Sequence, residues 1–341
     1  MKKNNSSNRS HHRNHKKKKV PKIGLALGGG SAKGFAHLGV LKVLHKNKIF
    51  PDYIAGTSMG AVVGAAYATG HTPEEIIEIA HKTDWQKMVD FTIPKSGLLQ
   101  GSMAERKLRK LFLNKKFNEP NIPLRVVSFN LTKYEPVIFS EGDVAKAVRA
   151  STSIPGIFNP LKIGSNYYVD GGLSNPTPFD VVKEMGADIV IAVDLFSIKN
   201  AVKGQVLKEK SFMSDLKHKL LKDEIKLVKE IIFPEKWPHL LRRILIWTFD
   251  KIVYPARVLR MMAGKEMFPI AKVMNKSLSV LIENLAVEKL KHSDVDIIIT
   301  PDFGHLGWAD FDRVDDFVLV GEKAMKKKLG LLKKKLSKIN N

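Results

Sequence analysis

The chain has 341 residues, 44% of them hydrophobic, and a formal net charge of +23. That length and apolar content can bury a sizeable core, and the absence of cysteine excludes disulfides and thiolate metal sites. No uncharged apolar run of about 18 residues occurs, against a membrane-spanning helix, and the basic N-terminus lacks the apolar stretch of a secretory signal.

The charge is unevenly placed. Residues 1–22 carry nine Lys or Arg, 323–341 carry eight Lys, and neither stretch has an acid; 199–270 holds 16 basic and 8 acidic residues. Solvated tails account for such runs. Attraction to an anionic membrane surface is the functional alternative. Specific nucleic-acid binding is not expected, because no aromatic-interleaved basic platform accompanies the charge. The composition is compatible with a cytoplasmic protein, with peripheral contact at the inner face of the cell membrane through 205–265 and the basic ends.

In chain order, residues 1–21 are polar and of low complexity and read as a disordered basic tail. "KIGLALGGG" is a buried strand running into a glycine loop, followed by a helix at about 33–47. A second strand at 52–55 leads through "GTSMG" into a small-residue helix, and Pro73–Glu75 opens another helix. "LRVVSFNLT" and "PVIFS" read as neighbouring strands, "GDVAKAVRAS" as a short helix and "NYYVDGG" as a strand ending in two glycines. "PFDVVKEMGADIVIAVDL" is a helix and a buried strand; "VDIIITPDF" is the last strand and 310–329 the last helix. This alternation predicts an α/β fold, a three-layer α/β/α sandwich with a mainly parallel central sheet. The stretch 199–266 breaks the rhythm and reads as a helical basic insertion in a catalytic domain spanning 22–322, with 323–341 a basic C-terminal tail.

Three glycine sites carry the chemistry. At "LGGGSAKGF" a dinucleotide fingerprint would need glycines at 28, 30 and 33, yet position 33 is Lys; a Walker loop would need Lys after Gly34, where Phe35 stands. What survives is a set of backbone N–H groups at a helix start, suited to an anion or a developing oxyanion. A plain strand-to-helix turn is the alternative. In "GTSMG", Gly56 and Gly60 flank Ser58 in the strand–turn–helix context of a nucleophile elbow; a helix-capping serine is the alternative. Asp170-Gly171-Gly172 places a carboxylate at a strand end, either for chemistry or as a simple turn.

A serine hydroxyl needs a base. Among histidines after Asp170, only His305 follows a strand into a loop, so a Ser-His-Asp arrangement through His305 and a direct Ser58–Asp170 pair both stand. His37 and His45 lie on the first helix and read as surface or satisfied core residues.

The ordered series "GGGSAKGFAHLGVLKVL", "GTSMGAVVGAAYATG", "ASTSIPGIFNPLKI" and "YVDGGLSNPTP" resembles the bacterial patatin-like phospholipases, over roughly 22–198 and again over 267–322. The resemblance implies a lipid ester substrate, a catalytic dyad of Ser58 as nucleophile and Asp170 as base, and an oxyanion hole from Gly28, Gly29, Gly30 and Ser31. Lys33, Gly34, Gly56, Gly60, Gly171 and Gly172 are supporting motif positions. It implies no metal or cofactor, and it lowers His305 to a structural or surface residue. "ASTSIPGIFNP" resembles the family segment beside the active site. An idle lipid-binding regulator on the same fold is the competing class. Within the insertion, "KWPHLLRRILIWTFDKIVYPARVLRMM" mixes aromatics and cations as an interfacial helix does; a cover on the protein's own core or a dimer contact would use the same pattern.

Overall fold

The computed structural model describes residues 20–85, 97–196 and 267–340. The expected disordered tail through residue 19 and the 199–266 insertion, with its aromatic and basic stretch, lie outside the described residues.

Ten strands are described: β1 (Ile23–Leu27), β2 (Tyr53–Thr57), β3 (Gly97–Leu99), β4 (Leu124–Asn130), β5 (Glu135–Phe139), β6 (Gly156–Phe158), β7 (Leu161–Ile163), β8 (Asn166–Asp170), β9 (Ile189–Val193) and β10 (Ile297–Ile299). The helices are α1 (Ala36–Lys46), α2 (Met59–Ala68), α3 (Pro73–Lys82), α4 (Ser102–Leu111), α5 (Val144–Ser151), α6 (Phe179–Glu184), α7 (Met267–Lys291) and α8 (Val314–Asn340). The main sheet runs β10-β9-β1-β2-β4-β8-β7, with β5 also on β4. Its first five strands are parallel, whereas β5 and β8 lie antiparallel to β4. The continuous apolar runs of β1 and β9 are buried throughout, as a sheet covered on both faces requires. Leu25 and Leu27 face one layer with Leu38, Leu41 and Phe317; Ala26, Ala55 and Ala192 face the other with Val181 and Val182 of α6. This is the expected α/β/α sandwich.

Strand β4 acts as the ruler for the site. Its residues 124–127 pair with 54–57 of β2, and its next residues, 128–130, pair with 168–170 of β8. Strand β5 occupies β4 across 126–130. With β5 on one edge, β2 and β8 share the other edge end to end. They run toward each other, β2 parallel and β8 antiparallel to β4. Thr57 pairs with Val127 and Asp170 with Ser128, so the two chain ends converge where the glycine turns begin.

Three expectations change. The first helix opens with a 3-10 turn, Ser31–Phe35, before α1. The short elements α4, β3, β6 and β7 add to those expected from the sequence, β3 pairing with β6 apart from the main sheet. The stretch 323–341, expected as a basic tail, continues α8 to Asn340 and buries Met325 and Leu332 in the core. Its lysines mask an apolar stripe with helical spacing, Val314, Phe317, Val318, Met325 and Leu332. Among the described residues, no helix is long and apolar enough to cross a membrane.

Candidate active site

Ser58 ends β2 and occupies the N-cap position of α2, but its side chain makes no capping bond. Its backbone sits at φ 54° and ψ −124°, a conformation non-glycine residues rarely adopt. Such a residue costs of order 1–3 kcal/mol and persists only where its surroundings hold it. The turn is tight enough that a Cβ on Gly60 would stand 2.1 Å from the Leu27 carbonyl oxygen. A Cβ on Gly56 would stand 2.5 Å from Ala61 Cα, and Gly34 presses on Met59. These glycines let the elbow nest into the end of β1.

The elbow directs the hydroxyl away from the helix and onto Asp170: Ser58 Oγ donates to Asp170 Oδ2 at 2.6 Å. The other carboxylate oxygen, Oδ1, accepts the Gly172 N–H at 2.8 Å. Gly171, between them, packs against the Val127 carbonyl. Both Ser58 and Asp170 are buried. Burial pushes the Asp170 carboxyl up to about 6, opposed by the hydrogen bonds from Ser58 and Gly172. A carboxylate raised this far is a better proton acceptor near neutral pH than an exposed aspartate.

The segment "ASTSIP" holds both side chains. The Ser58 N–H donates to Ser151 Oγ at 2.8 Å, and the Asp170 N–H donates to the Ser153 carbonyl at 3.0 Å. Arg149, fully buried, donates from Nη1 to Ser153 Oγ, from Nε to the Gly101 carbonyl and from Nη2 to the Gln100 and Asn159 carbonyls. Its guanidinium also stacks 4.9 Å over the Phe158 ring. The segment was expected beside the site, but no individual role was expected of Arg149, Ser151 or Ser153. The available signal was an arginine inside the apolar face of "VAKAVRAS", followed by two serines two residues apart.

The glycine loop lies against the elbow, where a Cβ on Gly29 would meet Ser58 Cβ at 3.3 Å. The Gly28 N–H donates to the Val193 carbonyl at 3.0 Å and the Gly29 N–H to the Pro176 carbonyl at 2.9 Å. Those two amides, expected in the oxyanion hole, are therefore occupied in fixing the loop. Among the described residues, the Gly30 and Ser31 N–H groups donate to no acceptor. Gly30 adopts φ 155° and Ser31 φ 53°. Lys33 follows on the 3-10 turn with its ammonium 5.3 Å over the Phe303 ring. Desolvation lowers its pKa, opposed by the fields of Glu283 and Asp194. Helix α7 closes this side, with Ile282 beside Gly172.

His305 is exposed, and no hydrogen bond joins it to Ser58 or Asp170. His292 pairs with Glu288 on the surface. Among the described residues, no three His, Cys, Asp or Glu side chains cluster as metal ligands.

The sequence model of the family described as patatin-like phospholipase matches residues 25–183. An uncharacterised NTE family protein of Mycobacterium tuberculosis is 33% identical over 184 residues, 51% of this chain and 49% of that protein. The human patatin-like phospholipase domain-containing protein 6 is 33% identical over 186 residues, 51% of this chain and 13% of its own length. A lysophospholipase nte1 of Aspergillus fumigatus is 34% identical over 182 residues, 52% of this chain and 12% of its own. The chain thus spans about half, or much less, of the curated relatives it matches. In fold it is similar to VipD from Legionella pneumophila, with a TM-score of 0.51 at 14% identity over 92% of this chain and 67% of that one. Residues 25–183, which carry the elbow, the glycine loop and the Asp-Gly-Gly turn, thus match the patatin-like phospholipase family model, and the chain is similar to patatin-like phospholipase and NTE family proteins over about half its length.

Proposed function

We propose that the chain is a lipid acyl hydrolase of the phospholipase A or lysophospholipase type, using a Ser58–Asp170 dyad. The observation that carries this reading is the 2.6 Å bond from Ser58 Oγ to Asp170 Oδ2, with no histidine interposed. Ser58 Oγ attacks the ester carbonyl carbon as Asp170 takes its proton. The tetrahedral oxyanion is stabilised by the amides of Gly30 and Ser31 and by that of Met59, the residue after the nucleophile at the positive end of α2. Collapse breaks the ester bond, and the alcohol leaves with the proton Asp170 holds. A water then gives its proton to Asp170 and attacks the acyl-enzyme, and the proton returns to Ser58 as the fatty acid departs.

The membrane contact belongs to the same proposal: an anionic bilayer supplies the lipid ester, attracted by the chain's basic stretches. The lysines of α8 beyond residue 323 lie on the sheet's far end, where Lys333 bonds Asn47 and Lys335 bonds Asp296, away from Ser58. Membrane attraction through α8 would not by itself bring lipid to the serine.

Purified protein with phospholipid and lysophospholipid vesicles, the released lipids profiled, tests the reading. Hydrolysis lost in Ser58→Ala and Asp170→Asn is expected, with a fluorophosphonate probe labelling only chains that keep Ser58. A folded wild-type chain that neither labels nor hydrolyses any ester would be an idle lipid binder.

A further inference from the structure

His37 lies on α1, wholly buried among apolar neighbours. Its Nε2 is 2.7 Å from the Gly28 carbonyl oxygen. A carbonyl only accepts, so Nε2 carries the proton and donates. Nδ1 is buried with no partner. Desolvation pushes this imidazole down to about 4, so it is neutral at working pH. A leucine would fill such a place without leaving a bare ring nitrogen. The polar ring calls for a reason.

The reason lies in what the ring touches. The peptide joining Gly28 to Gly29 has its carbonyl held by His37 and its N–H held by the Pro176 carbonyl at 2.9 Å. The preceding N–H, of Gly28, is held by Val193. Three glycines in a row have no side chains to fix their peptide planes by packing, and glycine crosses between conformers easily. Turning the Gly28–Gly29 plane would re-aim the two free amides that follow it, those of Gly30 and Ser31. The bond from α1 blocks that turn from behind the loop.

We propose that His37 is a positioning residue for the oxyanion hole: its Nε2–H locks the Gly28 carbonyl and so keeps the Gly30 and Ser31 amides aimed at the developing oxyanion. This inference rests on the hydrolase reading above. His37 neither touches substrate nor transfers a proton.

Amide side chains of two lengths test it. The amide nitrogen of Gln reaches the place of imidazole Nε2, whereas that of Asn reaches only the place of Nδ1. With a p-nitrophenyl ester, His37→Asn is expected to lose roughly 10- to 100-fold in kcat at nearly constant KM, less than the ~10²–10³ of a deleted oxyanion donor. His37→Gln should stay within about threefold of wild type, with the two variants melting at similar temperatures. Asn retaining kcat, or Gln falling with Asn as both lose Tm, would overturn the proposal, the latter because the ring is then only packing. A measurement on the unaltered protein is independent of variant folding: 15N NMR of the His37 ring should show the neutral Nε2–H tautomer, and an Nδ1–H tautomer sinks the idea. Esterase activity that survives Ser58→Ala would remove the hydrolase reading but leave the NMR result, so the two failures separate.

Discussion

The Ser58 amide donates to the Ser151 hydroxyl at 2.8 Å across 93 residues of sequence, with both residues buried. The elbow's unusual backbone turns that N–H inward, where no water can take it, and Ser151 at the end of α5 receives it. Ser151→Ala leaves a buried N–H unpaired, a cost of about 1–3 kcal/mol. It also frees the elbow to relax, and on the proposed hydrolase reading a displaced Ser58 is expected to lose roughly 10- to 100-fold in rate. The fluorophosphonate labelling rate of Ser58, compared with Tm, checks this. Labelling at the wild-type rate would mean the elbow holds its shape unaided.

Asp170 should set the acid limb of activity. Acting as base it must be ionised, so kcat/KM should fall as pH drops through about 6. The same shift has a stability sign. A folded value near 6 above an ordinary 3.8 means the native state favours the neutral acid. Stability is therefore lost as pH climbs through this window, by an amount of order 2–3 kcal/mol. Asp170→Asn is expected to be inactive yet to melt higher than wild type at pH 8, with the gain shrinking toward pH 4. Equal melting at both pH values would count against a buried charge there.

Arg149 ties the loop before α4 and the loop after α5 into one block behind Ser58 and Asp170. Arg149→Met keeps much of the side-chain volume but removes the donors to the Gln100, Gly101 and Asn159 carbonyls and to Ser153 Oγ. A hydrogen bond from a charged donor is worth about 1.5–3 kcal/mol. Urea titration should show a lowered midpoint, with activity falling before global unfolding because the anchors of both members of the proposed dyad pass through this block.

Gly60 leaves no room for a side chain. Gly60→Ala places a methyl 2.1 Å from the Leu27 carbonyl oxygen, against backbone that cannot yield. The expected loss is about 3 kcal/mol or more, at the upper end for overpacking. A variant with wild-type Tm would mean that the end of β1 shifts more freely than its burial implies.

The C-terminal helix offers a paired comparison. Leu332 is fully buried and Lys334 exposed, two residues apart. Leu332→Ala should cost about 2–5 kcal/mol and Lys334→Ala within about 0.5 kcal/mol. Chemical denaturation of both variants checks this, and equal effects would return residues 323–340 to a tail.

Much of the fold was legible because its signals are local. The apolar runs of β1, β2 and β9 and the glycines after them mark strand–turn–helix units wherever they occur. The part of α8 from residue 323 onward was obscured by its eight lysines. Their charge dominates the composition, although Leu332 at helical spacing belongs to the core. Among site residues, Ser58 and Asp170 could be picked out by their glycine neighbours. His37, Arg149 and Ser151 could not: each looks like an ordinary polar residue on a helix until its distant partner is known.

The sequence by itself determined the local chemistry: a hydroxyl on a turn only glycines permit, a carboxylate at a strand end, and a loop rich in main-chain amides. Tertiary structure alone decided that the hydroxyl and the carboxylate meet, because their contact comes from two strands sharing one edge of β4. It also decided which loop amides remain free, since Val193 and Pro176 take up two of the four. The physical reason is the same in both cases. A hydrogen bond is completed by whichever partner the chain brings within about 3 Å, and neither register nor donor satisfaction is written in the residues on one side of it.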